Sequence, residues 1–169
     1  GDFNGDGKAD LAVFRPATGQ WLVQPSSGGP ATATSFGGTN LTDIPVPGDY
    51  DGTGRVQMAY YRPGTAQWFI LGPGGARLLG TWGAAGLGDI PVPGDYDGIG
   101  RTEMAVYRPS TGQWLVLGPN GGYLLGTWGA PDLIAIPVPG DYDGIGRTEM
   151  AIYRPSTGQW FVAGPRGGY

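Results

Sequence analysis

The chain has 169 residues, a net charge of −4 at pH 7 and 14% charged residues, and its ten Lys and Arg residues are scattered singly. Nucleic-acid binding requires clustered basic residues, so no nucleic-acid partner is expected. The sequence has no cysteine and no histidine, which excludes disulfides, Cys- or His-based metal sites and Ser-His-Asp catalysis, and leaves Asp and Glu as the titratable metal ligands.

A tandem repeat organises the sequence. The copies begin at Gly1, Gly48, Gly94 and Gly140, at spacings of 47, 46 and 46 residues. Although the chain contains 35 glycines and 16 prolines, their regular recurrence and an aromatic content of 12% indicate a folded β repeat rather than disorder. We predict a single repeat domain over 1–169, divided into repeats 1–47, 48–93, 94–139 and an incomplete repeat 140–169.

Each full repeat holds four β-prone runs separated by turn residues, here named strands A to D. In the second repeat they are "DIPVPGDY", "QMAYYR", "QWFILG" and "RLLGTWG". Helices are excluded because Pro and Gly interrupt the chain about every ten residues. The middle strands are apolar on both faces, which predicts sheets covered on both sides. The fold class predicted is all-β, with about four β-propeller-type blades of four antiparallel strands. The prolines at 91 and 93 predict that strand A is irregular or pairs on one side only.

The first and last repeats are predicted to be incomplete. Full A-to-D sets cover 44–82 and 90–128, whereas the first unit has no "IPVP" strand and the last has no strand D. Two interpretations remain open. The chain is a fragment of a longer repeat protein, or copies of it form a homo-oligomer that closes a larger propeller through strand addition.

The opening segment "GDFNGDGKADLAVFRPATGQWLV" resembles the FG-GAP/VCBS-type repeat, which is found in the propeller of integrin alpha subunits and in large bacterial surface proteins. The resemblance covers essentially the whole chain, and "RPSTGQW" is similar to the bacterial branch. It implies a β-propeller with calcium bound between strands A and B. It also implies a role in adhesion or ligand contact, within a secreted or cell-surface bacterial protein.

The acidic turn between strands A and B has the residue types of a calcium site. Calcium takes six to eight oxygen ligands, and the first copy offers Asp2, Asn4, Asp6 and Asp10 together with the backbone carbonyl of Lys8. We predict Ca²⁺ at this turn. The alternative is a hairpin turn capped by its own Asx side chains. An EF-hand is disfavoured because a β-type run ended by proline follows at once.

The later turns have weaker ligand sets. The second turn offers Asp49, Asp51, Thr53 and Gln57. In the third and fourth turns an isoleucine without a side-chain oxygen replaces one ligand, and the remaining candidates are Asp95, Asp97, Glu103, Asp141, Asp143 and Glu149. Each of these glutamates follows an arginine by two residues, so the glutamate is expected either to bind the metal or to pair with that arginine.

Two further residue types recur in every repeat and are expected to pack the blades together. They are Arg15, Arg62, Arg108 and Arg154, each expected to bond a neighbouring carbonyl, and Trp21, Trp68, Trp114 and Trp160. Trp82 and Trp128, with Phe36 in their place in the first unit, are interpreted in the same way. The alternative is sugar-binding pockets between blades.

The function expected is that of a non-catalytic, calcium-stabilised scaffold or adhesion module. No enzyme is expected, because the acids outside the turns, Asp43, Asp89 and Asp132, stand alone in loops and no glycine loop fits a phosphate. Membrane insertion is not expected, since no apolar run approaches roughly 18 residues. The alternatives are a lectin with repeated inter-blade sites and a self-assembling structural repeat. The ligand is a protein or a glycan.

Overall fold

The computed structural model describes residues 1–38, 42–129, 134–164 and 167–168. The described residues form strands, turns and irregular segments without a helix, so no helix among them is long and apolar enough to span a membrane. The all-β fold class predicted from the sequence is confirmed.

Four antiparallel sheets of the β-propeller blade type follow one another along the chain. Sheet 1 contains β1 Leu11–Arg15, β2 Gln20–Gln24 and β3 Thr32–Ser35. Sheet 2 contains β4 Ile44–Pro45, β5 Met58–Arg62, β6 Gln67–Gly72 and β7 Gly75–Thr81. Sheet 3 contains β8 Ile90–Pro91, β9 Met104–Arg108, β10 Gln113–Gly118 and β11 Gly121–Thr127. Sheet 4 contains β12 Ile136–Pro137, β13 Met150–Arg154, β14 Gln159–Gly164 and β15 Gly167–Gly168.

The first strand of sheets 2, 3 and 4, strand A, has only two residues. In sheet 2, Ile44 and Pro45 pair with Tyr61 and Tyr60 of β5, and the N–H of the following Val46 donates to the carbonyl of Ala59 at 2.8 Å. Proline has no N–H to donate, which keeps such a strand at the edge of a sheet. The prediction of a strand A that pairs on one side is confirmed.

Sheet 1 has three described strands and lacks strand A, as the sequence predicts. The prediction that the last unit lacks strand D is wrong, because Gly167 and Gly168 form a short fourth strand that pairs with Gly164 and Ala163 of β14. The two glycines therefore already run back along β14.

The chain divides into two compact units, Gly1–Thr81 and Trp82–Tyr169. In the first unit sheets 1 and 2 pack together through Trp21, Phe36 and Tyr60, and the rings of Phe36 and Tyr60 lie 4.9 Å apart. In the second unit, Ile152 of sheet 4 joins the buried cluster of sheet 3, which is made of Val92, Tyr96, Ala105, Tyr107, Trp114 and Val116. Each unit therefore buries its core between two successive sheets.

Candidate metal centre

In every sheet an acidic turn directly precedes strand B, which is β1, β5, β9 or β13. The four turns comprise residues 1–10, 48–57, 94–103 and 140–149 and are named turns 1 to 4 here. Turns 2 to 4 are closed at their base by an antiparallel bridge between the first glycine and the last residue, and in turn 1 the Asp10 N–H donates to the Gly1 carbonyl at 2.8 Å. In turn 3, Gly98 and Gly100 have φ values of +77° and +83°, a left-handed backbone that glycine adopts without strain. These glycines therefore allow the chain to reverse within a short turn.

The first aspartate of each turn organises the backbone. Asp95 accepts hydrogen bonds from Gly98 N at 2.8 Å and Ile99 N at 3.1 Å through Oδ1, and from Gly100 N at 2.8 Å through Oδ2. Asp141 accepts the equivalent three bonds in turn 4. This Asx capping is the alternative that the sequence left open. It is compatible with a metal, since a carboxylate oxygen has more than one lone pair.

The closing glutamate of turns 3 and 4 has one oxygen bound and one free. Glu103 is 4% exposed and Glu149 is 7% exposed. Oε2 of each accepts a backbone N–H at 2.9 Å, from Tyr96 and Tyr142 respectively. Oε1 of each is buried and has no hydrogen-bond partner within the described residues. A buried carboxylate oxygen without a donor is costly, and a cation, a proton or a bound water would relieve that cost.

Three carboxylates converge at each of these two turns. One oxygen of each of Asp95, Asp97 and Glu103 lies within 4.8 Å of the others. Burial is the main cause that raises the pKa of Glu103, and the charge of Asp97 adds to it. Asp141, Asp143 and Glu149 form the corresponding group in turn 4. Both clusters could hold a metal ion, because a divalent cation would bind the free oxygen and cancel the repulsion among the carboxylates.

Turns 3 and 4 also support each other within the second unit. The Thr148 N–H of turn 4 donates to the Asp95 carbonyl at 2.7 Å, and the Asp95 N–H donates to Thr148 Oγ1 at 2.9 Å. Arg147 lies against Gly98, where an added methyl group would come within 2.8 Å of its Cγ. The expected alternative in which Glu103 or Glu149 pairs with the preceding arginine is wrong, since the free Oε1 atoms have no such partner.

Turn 2 satisfies its polar groups with other residues of the chain. Gln57 Oε1 accepts the Tyr50 N–H at 2.8 Å, and Gln57 Nε2 donates to the Arg55 carbonyl at 3.1 Å. Arg77 forms an ion pair with Asp51 at 2.7 Å. At the position where turns 3 and 4 have a free carboxylate oxygen, turn 2 has the amide group of Gln57, which donates a hydrogen bond. In addition, Arg77 neutralises Asp51, one of the two carboxylates of turn 2. Calcium at Asp49, Asp51, Thr53 and Gln57 stays a prediction, and these contacts do not favour it.

Turn 1, the best site by residue type, is also largely self-satisfied. Asp10 accepts the N–H groups of Ser26 at 2.8 Å and Phe3 at 2.9 Å, and these bonds lower its pKa, with the Ser26 bond the largest cause. Asn4 Nδ2 donates to Asp6 at 3.2 Å and to Asp10 at 3.4 Å. The structure thus brings the carboxylates of Asp6 and Asp10 together around the side-chain amide of Asn4.

The other candidate ligands of turn 1 face its backbone. Asp2 accepts hydrogen bonds from the N–H groups of Gly5, Asp6 and Gly7, which lower its pKa against the effect of burial. The Lys8 N–H donates to Asp6 at 2.9 Å. Within the described ranges the groups of three clustered carboxylates lie at turns 3 and 4, so a metal at turn 1 stays a prediction.

Two of the four recurring arginines, Arg62 and Arg108, bind carboxylates that were expected to stand alone in loops. Arg62 binds Asp43 with two hydrogen bonds of 2.9 and 3.1 Å, and Arg108 binds Asp89 with bonds of 2.8 and 2.9 Å. Asp43 is the largest cause that raises the pKa of Arg62. The expectation that Asp43 and Asp89 stand alone is therefore wrong. The signal that would have found the pairs is the repeated spacing of 19 residues. Asp132 lies outside the described residues.

The recurring tryptophans mostly serve the packing of the sheets. Trp21, Trp68 and Trp114 are buried, whereas Trp160 is 55% exposed. The Trp114 indole donates to the Trp128 carbonyl at 3.0 Å, so the buried rings offer no free face for a sugar.

A second pair of tryptophans packs against glycines. The Trp82 ring lies on Gly122 and the Trp128 ring on Gly168, while their indole N–H groups donate to the carbonyls of Leu115 and Phe161. A glycine is required beneath each ring because a Cβ atom there would overlap it.

The sequence was compared with family models, with curated proteins and with solved structures. Residues 2–60 match the model of the FG-GAP-like repeat, a range that covers turn 1, sheet 1, turn 2 and the beginning of β5. No curated protein and no solved structure gave a match. The acidic turn and the antiparallel sheet of the matched range recur in the rest of the chain. Over residues 2–60 the chain is therefore similar to the FG-GAP-like repeat, and its described residues form tandem blades.

Proposed function

We propose that the protein is a non-catalytic, calcium-stabilised module that presents a scaffold or adhesion surface in a secreted or cell-surface protein. FG-GAP-like repeats typically occur in extracellular or surface proteins and are generally non-catalytic. The observation that carries the calcium part is the buried, unpartnered Oε1 of Glu103 and of Glu149 within groups of three carboxylates.

In this proposal Asp95, Asp97 and Glu103 supply the side-chain ligands at turn 3, and Asp141, Asp143 and Glu149 supply them at turn 4. When bound, calcium neutralises these carboxylates and ties the two ends of the turn together. Three carboxylates are a sparse set for an ion that takes six to eight oxygens. Such sites suit the roughly 10⁻⁴–10⁻³ M dissociation constants of extracellular calcium modules.

Thermal unfolding in calcium and in EDTA tests the proposal. At a calcium concentration of about 100 Kd, each site adds about 2.7 kcal/mol to the free energy of unfolding. A change of 1 kcal/mol moves the Tm of a chain of this size by roughly 2–4 °C, so the expected increase is roughly 5–10 °C for each occupied site. The same Tm in both buffers would remove calcium from the account.

Matched variants locate the effect. Glu103→Gln with Glu149→Gln introduces the side chain that turn 2 already has at this position, so the turns keep an acceptor for the N–H groups of Tyr96 and Tyr142. We expect this double variant to fold and to lose the calcium-dependent increase in Tm. Asp43 lies outside the four acidic turns and pairs with Arg62, and Asp43→Asn is the control that keeps the calcium response. An unchanged response in the double variant would exclude turns 3 and 4.

Carbohydrate binding and self-assembly stay predictions. Glycan-array binding measures the first, and light scattering in calcium-containing buffer measures the second. A monomer mass would contradict assembly into a ring.

A further inference from the structure

A cleft of about 350 Å³ opens between sheets 1 and 2 within the first unit. Phe3 and Val23 line it from sheet 1 and its turn, and Met58 and Leu71 line it from sheet 2. Its volume lies within the 300–1,000 Å³ typical of small-molecule sites, which are also lined mainly by apolar side chains. The cleft is independent of the function proposed above, since neither turn 3 nor turn 4 contributes to it.

The cleft depends on a small residue at one position of the outer strand. Thr32 pairs with Val23 in sheet 1, and the register places Tyr123 opposite Val116 in sheet 3. The Tyr123 ring lies against its own sheet, where a methyl group added to Gly118 would come within 3.2 Å of it. Gly118 corresponds by this register to Pro25, which lines the cleft in the first unit. A tyrosine at position 32 would therefore fill space that threonine leaves open.

A positively charged side chain, that of Arg55, lies at the rim of this cleft. Arg55 is exposed and lines the cleft, and its side chain runs over Gly5, whose added methyl group would lie 2.9 Å from the Arg55 Cγ. Within the described residues its guanidinium forms no hydrogen bond and no ion pair. Asp10 also lines the cleft, but its two oxygens already accept hydrogen bonds from Phe3, Ser26 and Asn4. Of the two charged side chains that line the cleft, Asp10 and Arg55, the guanidinium is thus the one left to recognise a ligand.

We propose that this cleft binds a small hydrophobic carboxylate. Its apolar body would pack against Phe3, Val23, Met58 and Leu71, and its carboxylate would pair with Arg55 at the rim. Burial of the apolar body supplies the affinity, and the guanidinium selects an anionic substituent, because a carboxylate matches its donor geometry.

Nuclear magnetic resonance titration in EDTA tests the site, with indole-3-acetate, neutral indole and tryptamine as probes. We expect saturable shifts at the methyl groups of Val23, Met58 and Leu71 and tighter binding of indole-3-acetate than of tryptamine. The difference should be roughly threefold to fivefold, as for an exposed ion pair. Arg55→Gln should remove this preference and leave the binding of indole unchanged.

Position 32 provides the control for the cavity itself. Thr32→Tyr should weaken all three probes by at least about tenfold, whereas Thr32→Val, which keeps the volume, should stay within about twofold. Tyr123→Thr should add shifts at the Met150 methyl, in the equivalent place of the second unit. Absence of saturable shifts in the wild-type chain would overturn the proposal, as would full binding by folded Thr32→Tyr. If Thr32→Tyr does not fold, an unchanged Met150 methyl in titrations of Tyr123→Thr would overturn it instead.

Discussion

The substitution Ala135→Asp should stabilise the fourth sheet. Ala135 precedes β12 as Asp43 precedes β4 and Asp89 precedes β8. Arg154 therefore lacks the carboxylate that Arg62 and Arg108 bind, and its buried Nε has no hydrogen-bond partner among the described residues. Its guanidinium is left over the Phe161 ring at 4.7 Å.

The equivalent ion pairs of sheets 2 and 3, Arg62–Asp43 and Arg108–Asp89, indicate the size of the expected effect. Each contains two charge-assisted bonds of 2.8–3.1 Å to an aspartate whose side chain is 0–1% exposed. Hydrogen bonds to charged groups contribute about 1.5–3 kcal/mol each, while desolvation of the new carboxylate offsets much of that sum. We expect a net gain of about 1–2 kcal/mol, or roughly 2–8 °C in Tm.

Thermal and urea unfolding of Ala135→Asp measure this gain, with Ala135→Asn as the uncharged control. Asp89→Ala is the reciprocal variant, and it should cost about 3–5 kcal/mol because it removes the carboxylate that accepts two hydrogen bonds from the Arg108 guanidinium, which is largely buried. A loss of stability in Ala135→Asp, or an equal gain in Ala135→Asn, would refute the reasoning. The first result would mean that the place beside Arg154 cannot accept a carboxylate, and the second that the negative charge adds nothing to the stability.

Two further predictions concern single residues. Burial raises the pKa of Glu103 above its ordinary value of 4.5, so the charge of Glu103 destabilises the metal-free fold above the raised pKa. This cost is lost as the pH falls through the raised pKa toward 4.5. In EDTA the Tm advantage of Glu103→Gln over the wild type should therefore shrink as the pH falls toward 4.5, and an advantage that does not vary with pH would contradict this. Gly122→Ala should lower the free energy of unfolding by about 1–3 kcal/mol, because the added methyl group forces the Trp82 ring away. Gly74→Ala is the control: nothing lies within 4 Å of its added methyl group, so its urea midpoint should stay nearly unchanged. Equal midpoints for the two variants would show that the indole ring does not require the glycine.

The sequence was sufficient to predict the strands and the turns, because each depends on local patterns that recur. The runs "QMAYYR" and "QWFILG" correspond to β5 and β6, and the prolines explain the short inner strands. The fourth strand of sheet 4 was missed because a strand of two glycines has no apolar pattern.

The order of preference among the metal turns could not be obtained from residue types. Counting oxygens favours turn 1, yet the Asp10 side chain there accepts bonds from Ser26 and Phe3, which are contacts of the folded chain. Glu103 is one methylene longer, and burial leaves its Oε1 without a donor. Whether an oxygen is free to bind a metal depends on tertiary contacts, and these are not visible in the spacing of the acids. The cleft beside Thr32 could not be predicted from the sequence for the same reason. Its volume depends on the packing of sheets 1 and 2 and on the size of the residue that pairs with Val23, which is Thr32.

The most direct test of calcium binding is a crystal structure grown in millimolar calcium chloride, with anomalous differences collected for the metal. We predict anomalous density in turns 3 and 4, bonded to Glu103 Oε1 and Glu149 Oε1 at roughly 2.3–2.6 Å. Water or an arginine at both of these oxygens, with no anomalous signal in either turn, would contradict the account.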